Sequence, residues 1–473
     1  MTLQDNHVKS DINNIKGALL RSGYKTRLAI VLIGDNEGEP LSLAEGIQER
    51  LENIRRGTAL DPKSVFYVPS QDSQNDQKQV FDNILGVLYT SAVEYYRDLG
   101  RHARKKRSRG IAPQPTVPPT TGTSQTLSLS DWNFRYDFKS AILAEFRQET
   151  DAALRFFEQA YEVLLGQDVL DIIPSWSPRW NEARLLADVI AIRCLRCHLW
   201  MGQTTLAVRK WHSHRERIAD FVDRRGRGTN NYGWQAWEAR WATAMANLVE
   251  RVGLSALAPA SGAIYVPQDK SVSGERVSPW ELLHHTGYWY RIAARHIVAR
   301  RKLAHQIPED DRHSPDTSPA SAVASKAFAY DTYMCPEPYQ EYPLSGKGVN
   351  HAQLVIDCLQ AASAQFQARN QTRLATEMSL ECAREFANMG QWDDAVQMLL
   401  PFWEDVAFRS EGWINISEDL CLTMRKIAAG AHRPDLVVAA DWELMGNREC
   451  SESLILLNVL IKTRLHAATT VAL

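Results

Sequence analysis

Cys194-Leu195-Arg196-Cys197-His198 holds two thiols and an imidazole at the spacing by which c-type haem is attached to protein. Two thioether bonds would require both sulfurs to face an open cleft and the histidine to reach iron. The surrounding run, DVIAIRCLRCHLW, is instead an apolar helical stripe, which favours two thiols packed in a helix core. Zinc needs four ligands, and no second cysteine pair stands at a matching distance. His284-His285 and the His212-x-His214 pair have the right ligand type but lack the carboxylate of an H-E-x-x-H motif; they read as packing or surface histidines. Neither a Walker lysine loop, a G-x-G-x-x-G turn after a strand, nor a G-x-S-x-G elbow is found. Gly34-Asp35-Asn36-Glu37-Gly38 is the place where a ligand loop could sit, and it reads as an ordinary turn. The expectation is a chain with no catalytic residue, cofactor, metal or small-molecule substrate.

The remaining candidate chemistry is electrostatic. Arg101, Arg104, Lys105, Lys106, Arg107 and Arg109 form a basic cluster ahead of a Pro, Thr and Ser-rich run. Such a cluster suits a nuclear signal, a partner, or anionic lipid at about 1 kcal/mol per residue near the surface; Arg104, Lys105, Lys106 and Arg107 are the membrane or partner candidates. Over the 473 residues, 54 basic side chains face 56 acidic ones, for a net charge of −2. That balance removes the basic excess expected of a nucleic-acid binder. No stretch reaches the roughly 18 uninterrupted apolar residues of a spanning helix, so a cytosolic or membrane-peripheral protein is expected. Seven scattered cysteines read as reduced thiols rather than a disulfide framework.

These residues must be positioned by helices. In 138–165, Ile142, Phe146, Ala153, Phe157, Ala160, Tyr161 and Leu164 recur at three- and four-residue steps, predicting one long amphipathic helix. Similar stripes run through 181–201, 204–222, 234–252, 280–304, 350–369, 372–389, 391–406, 415–429 and 450–467. Short loops between them require antiparallel hairpins. Before them, Arg27–Ile33 and Ser64–Val68 read as buried β-strands separated by a helix. The organisation is therefore a small α/β segment over 1–100, a disordered basic and Pro/Thr/Ser-rich linker over 101–131, helical repeats over 132–305, a proline-rich irregular linker over 306–346 whose Tyr330, Tyr333, Tyr339 and Tyr342 suggest that part of it packs down, and further helical repeats over 347–473. Trp132, Trp176, Trp180, Trp234, Trp237, Trp241, Trp280 and Trp289 are expected mostly as packing anchors.

Two distant hairpins share a motif, Met201-Gly202-Gln203-Thr204-Thr205-Leu206-Ala207 and Met389-Gly390-Gln391-Trp392-Asp393-Asp394-Ala395. In each, glycine ends one helix in a left-handed conformation and an alanine five residues on lets the next helix approach closely. Gly202, Ala207, Gly390 and Ala395 are thus structural hairpin residues. The fold class expected is mainly α, a tetratricopeptide-like helical-hairpin solenoid preceded by the small α/β segment.

The helix Asp131-Trp132-Asn133-Phe134-Arg135-Tyr136-Asp137-Phe138-Lys139, followed by Ala144–Leu154 and Ala160-Tyr161, resembles the foie gras region of subunit 11 of the transport protein particle (TRAPP) complex. The resemblance continues in order through both strands, Cys194-Leu195-Arg196-Cys197, the tryptophan-rich 234–250 helix, Gly287-Tyr288-Trp289-Tyr290 with Ala293-Ala294, and the Gly390 hairpin. It spans most of residues 27–415. It implies a non-catalytic scaffold, peripheral at cis-Golgi and ER-Golgi membranes. Its partners would be other TRAPP subunits and, indirectly, a Rab GTPase activated by those subunits in ER-to-Golgi transport and autophagy. Family members run on into β-sandwich domains and begin further upstream, and the 101–131 insertion is longer than theirs. A second class is a generic helical-repeat adaptor, chaperone-linked or similar, whose groove takes a short peptide.

Overall fold

The computed structural model describes residues 3–22, 28–33, 44–68, 74–110, 128–175, 177–225, 228–313, 330–344, 346, 348–405 and 414–447. The Gly34–Gly38 loop, Trp176, the Pro/Thr/Ser run 111–127 and the 450–467 stripe lie outside them. Helix dominates what is described, and the fold is mainly α. Two compact units divide the chain, Met1–Ala153 and Leu154–Leu473.

In the first unit, α1 (Leu3–Arg21) packs on α2 (Ala44–Thr58), and Arg50 of α2 pairs with the buried Asp5 of α1 at 2.8 Å. Strand β1 (Ile30–Ile33) lies parallel to β2 (Val65–Val68) in the register Ile30 to Val65 and Ile33 to Val68. A parallel pair needs a crossover, and α2 lies within that connection. The strands were expected to be buried. Instead β1 alternates, with Val31 and Ile33 exposed at 43% and 81%, the signature of a strand covered on one face.

Helix α3 (Gln74–Arg107) packs on α4 (Leu129–Phe146) through Ala103, Trp132 and Tyr136. The Trp132 indole donates to the Lys106 carbonyl at 3.1 Å. Ser128 and Asp131 close a reciprocal capping box at the start of α4, which fixes where that helix begins. Arg101–Arg107 therefore belongs to a helix, not to a disordered linker: Ala103 has a core to enter, and Arg107 reaches Asp137 and Asn133 at 2.9 and 2.7 Å. The single long helix expected over 138–165 is also corrected. The chain turns after Phe146, with Gln148 at φ +60°, before α5 (Thr150–Leu164) begins. Arg147 anchors the turn, pairing with Glu149 at 2.6 Å and donating to the Tyr96 carbonyl at 3.2 Å.

The second unit continues as α6 (Pro178–Trp200), α7 (Thr204–Arg224), α8 (Tyr232–Val252), α9 (Thr286–Ala304), α10 (His351–Gln367), α11 (Thr372–Asn388), α12 (Trp392–Glu404), α13 (Ile414–Gly430) and α14 (Pro434–Asn447). From α8 to α14 each helix packs against the next in sequence, as stacked hairpins require. One core joins α9, α10 and α11 through Ile297, Ile356, Leu359, Phe366 and Met378. Another joins α11 to α14 through Ala383, Leu399, Leu420, Met424 and Ala440.

The described part of the proline-rich segment is built into this unit. Prolines forbid a long helix there, but Asp331 pairs with Arg184 of α6 at 2.7 Å, both side chains almost fully buried. Tyr232 of α8 donates to the Pro336 carbonyl at 3.0 Å. Glu341 accepts both arms of Arg300 at 2.6 Å and contacts His351 Nε2 at 2.7 Å. Gly233 leaves the room this strap needs, since a Cβ there would fall 1.6 Å from the Asp331 carbonyl oxygen. Residues 330–344 are thus a strap tied to α6, α8, α9 and α10, unlike a free linker.

Candidate interaction surfaces

Gly202 lies at φ +73° and Gly390 at φ +77°, and Ala207 and Ala395 are fully buried. After each glycine the next residue closes the helix end backwards: Gln203 N–H donates to the His198 carbonyl at 2.9 Å, and Gln391 N–H to Phe386 at 3.0 Å. This is the Schellman arrangement, which satisfies helix-terminal carbonyls. The same geometry recurs three times more. Gln148, Asn370 and His432 lie at φ +60°, +57° and +55°, and the residue after each donates to the carbonyl five back: Glu149 to Ala144, Gln371 to Phe366, Arg433 to Ala428. Five residues beyond each left-handed position stands Ala153, Ala375 or Val437, the two alanines fully buried. Sequence reasoning found the two turns marked by glycine; the other three carry no such marker, though the alanine offset was present at 153 and 375.

Cys194 and Cys197 sit on the buried face of α6. Burial pushes the Cys194 thiol up to about 12 and raises Cys197 as well, so both are poor nucleophiles. His198 Nδ1 lies 2.9 Å from the Gln203 amide oxygen, and burial lowers its pKa. His285 caps α9 by accepting the Gly287 N–H at 3.1 Å, and burial brings it down to about 3. His284 stacks on Tyr288 with ring centroids 4.1 Å apart. Among the described residues no three His, Cys, Asp or Glu side chains are arranged to hold a metal ion.

A relay that the sequence did not disclose lies deeper. Tyr161 Oη is 2.8 Å from His214 Nδ1, and His214 Nε2 is 2.9 Å from Asp188 Oδ1. Asp188 Oδ2 also accepts from Trp237 Nε1 at 3.0 Å and Tyr333 Oη at 2.9 Å. A carboxylate can only accept, so Nε2 of His214 carries the proton and Nδ1 accepts from the phenol. Burial lowers the His214 pKa despite Asp188, and it raises that of Tyr161. The triad has the order of an acid-base device, yet His214 is wholly buried beneath Trp237 and Trp241. No reacting atom can reach it. Its chemistry is to join α5, α6, α7, α8 and the strap. Nearby, Trp211 and Trp241 stack in near-parallel planes, each indole donating to the other's backbone carbonyl at 3.3 Å. Trp132, Trp180, Trp234, Trp237, Trp241 and Trp289 are buried, whereas Trp280 is exposed.

The basic candidates divide. Arg104 and Lys105 point to solvent, while Lys106 and Arg107 are half-buried against α4. Arg101 is also exposed and pairs with Asp98 at 3.0 Å. No helix among the described residues is long and apolar enough to cross a membrane.

The geometry defines a class, a helical-hairpin repeat protein whose polar constellations are consumed in packing. The profile of Foie gras liver health family 1 matches residues 179–447, more than half of the chain, and the protein belongs to that family. Residues 1–77 match a second profile, the trafficking protein particle complex subunit 11 N-terminal domain. The chain is similar to trafficking protein particle complex subunit 11 of Gallus gallus, 20% identical over 426 residues, and of Homo sapiens, 21% identical over 421. Each alignment covers 85% of this chain and 33% of the relative. The chain therefore spans about a third of the length of these curated relatives.

Proposed function

We propose that this chain is a non-catalytic scaffold subunit of a TRAPP-type tethering complex, acting in ER-to-Golgi transport and in autophagy at cis-Golgi and ER-Golgi membranes. Rab GTPase activation falls to other subunits, which this chain helps to hold together. The observation that carries the reading is the ordered likeness to subunit 11 over 85% of the chain, with two profiles of that subunit's family in sequence along it. The sealing of the Cys194, His198 and His214 constellations in the core supports a role without chemistry of its own.

Peripheral membrane contact belongs to the same reading, with Arg104 and Lys105 as the residues that face lipid and Arg107 as a brace for the α3/α4 pair. Gel filtration of the purified chain with reconstituted TRAPP core subunits tests the assignment: co-elution at fixed stoichiometry is expected, and separate elution at micromolar concentration would reject it. For the membrane contact, flotation with vesicles containing phosphatidylserine is expected to weaken severalfold on Arg104→Glu with Lys105→Glu; unchanged flotation would remove it.

A further inference from the structure

We propose that α10, α11 and α12 form a binding groove for a short extended peptide that carries one basic side chain next to a large apolar one. The groove has a volume of about 450 Å³. Its walls are two helix faces. Gln360, Ala364 and Gln367 succeed one another along α10, and Asp394, Gln397 and Pro401 along α12, the ends of each set seven positions apart. Ser379 and Phe386 of α11, also seven apart, make the floor. Seven helical residues rise about 10 Å, the length of about three residues of extended chain.

The lining chemistry specifies the occupant. The side-chain amides of Gln360, Gln367 and Gln397 hydrogen-bond to no other described residue, and they flank the groove on both sides. Amides offer donor and acceptor together, which matches a backbone whose N–H and C=O groups are unsatisfied. An extended peptide has such groups and a helix satisfies its own. Met398 and Phe402 on the α12 wall and Phe386 on the floor supply an apolar surface for one large side chain, and methionine adapts its shape to what it meets. Asp394 is exposed on the α12 rim and makes no ion pair with a described residue, so it is available to a lysine or arginine of the ligand. Ser363 and Ser379 are already committed to each other at 3.0 Å and close the floor. Alternate helices as walls and the intervening helix as floor is a direct product of the Asn370 and Gly390 turns, so the groove is a property of the hairpin repeat and not of the trafficking assignment.

The test selects random heptapeptides displayed on phage against the full chain, then titrates the enriched sequence, fluorescein-labelled, by anisotropy. Enrichment of Lys or Arg within three residues of Leu, Phe or Trp is expected. Ala364→Trp fills the groove from an exposed position and should weaken binding at least tenfold. Asp394→Lys should weaken it about fivefold and favour peptides with Asp or Glu in place of the basic residue. Melting temperatures of both variants report that the fold is kept. Enrichment of peptides that bind Ala364→Trp equally well, or no enrichment above an unrelated helical protein, would overturn the proposal.

Discussion

The Asp188 carboxylate receives hydrogen bonds from His214, Trp237 and Tyr333, so removing it strands three donors in the core at once. Each unmet buried donor costs about 1–3 kcal/mol. Asp188→Ala is therefore expected to lose roughly 3 kcal/mol or more of unfolding free energy, read from urea denaturation; a loss below about 1 kcal/mol would show that the network relaxes around the gap. At this scale the sequence was informative about what is absent and silent about what is present. The Cys194-x-x-Cys197-His198 motif could be assigned to a core because apolar neighbours surround it on its own helix. The Tyr161, His214, Asp188 relay could not, because its members lie on three helices and are joined by packing alone.

The helical hairpin is the element that organises the molecule, and it uses one turn geometry at five places, with glycine, glutamine, asparagine or histidine at the left-handed position. A residue with a Cβ pays about 1–2 kcal/mol in that conformation, and glycine does not. Substitutions at equivalent turns should therefore have opposite signs. Gly202→Ala is expected to lower stability by about 1 kcal/mol, and Gln148→Gly to raise it by up to about 1 kcal/mol. Both are read as shifts in the denaturation midpoint, and shifts of the same sign would contradict a shared turn. Ala207→Trp tests the close approach that follows the turn: the buried alanine leaves no room, so overpacking should cost about 1–3 kcal/mol, and an unchanged melting temperature would contradict it. These turns also explain what was legible. A glycine between two helical stripes marks a helix end in the sequence, although Gly86 and Gly100 lie inside α3; Asn370, His432 and Gln148 carry no such mark. That is why 138–165 reads as one stripe yet folds as two helices. The strap 330–344 was legible only in part for a related reason: its tyrosines suggest that it packs down, but prolines mark it as irregular, and the side chains that bury it, Asp331, Tyr333 and Glu341, find partners far away in sequence.

Among the described residues, burial lowers the pKa of seven imidazoles, those of His198, His212, His214, His284, His285, His296 and His305. The sign follows from proton counting. Below about pH 6.5 the unfolded chain protonates these histidines while the folded chain resists, so the unfolded state binds more protons and stability falls as pH drops. For His285 the deficit grows until its folded value of about 3 is reached. Glu341 and Glu149, held below the usual carboxylate range against desolvation by Arg300 with His351 and by Arg147, add a further loss below about pH 4.5 as they are forced to protonate. A melting temperature that declines steadily from pH 7 to pH 5 is expected, and a flat profile over that interval would contradict buried neutral histidines. The mainly α class, the presence of two strands and the hairpin order were legible from periodicity, whereas the parallel pairing of the strands, the partners of the strap and the unglycined turns depended on long-range contacts that periodicity does not encode. The proposed role is that of an assembly scaffold built from packed hairpins. Affinity purification of the tagged chain from its own cells, with bound proteins quantified by mass spectrometry, tests it most directly: recovery of TRAPP core subunits in near-stoichiometric amounts is the predicted result, and recovery of chaperones or assorted proteins without them would contradict it.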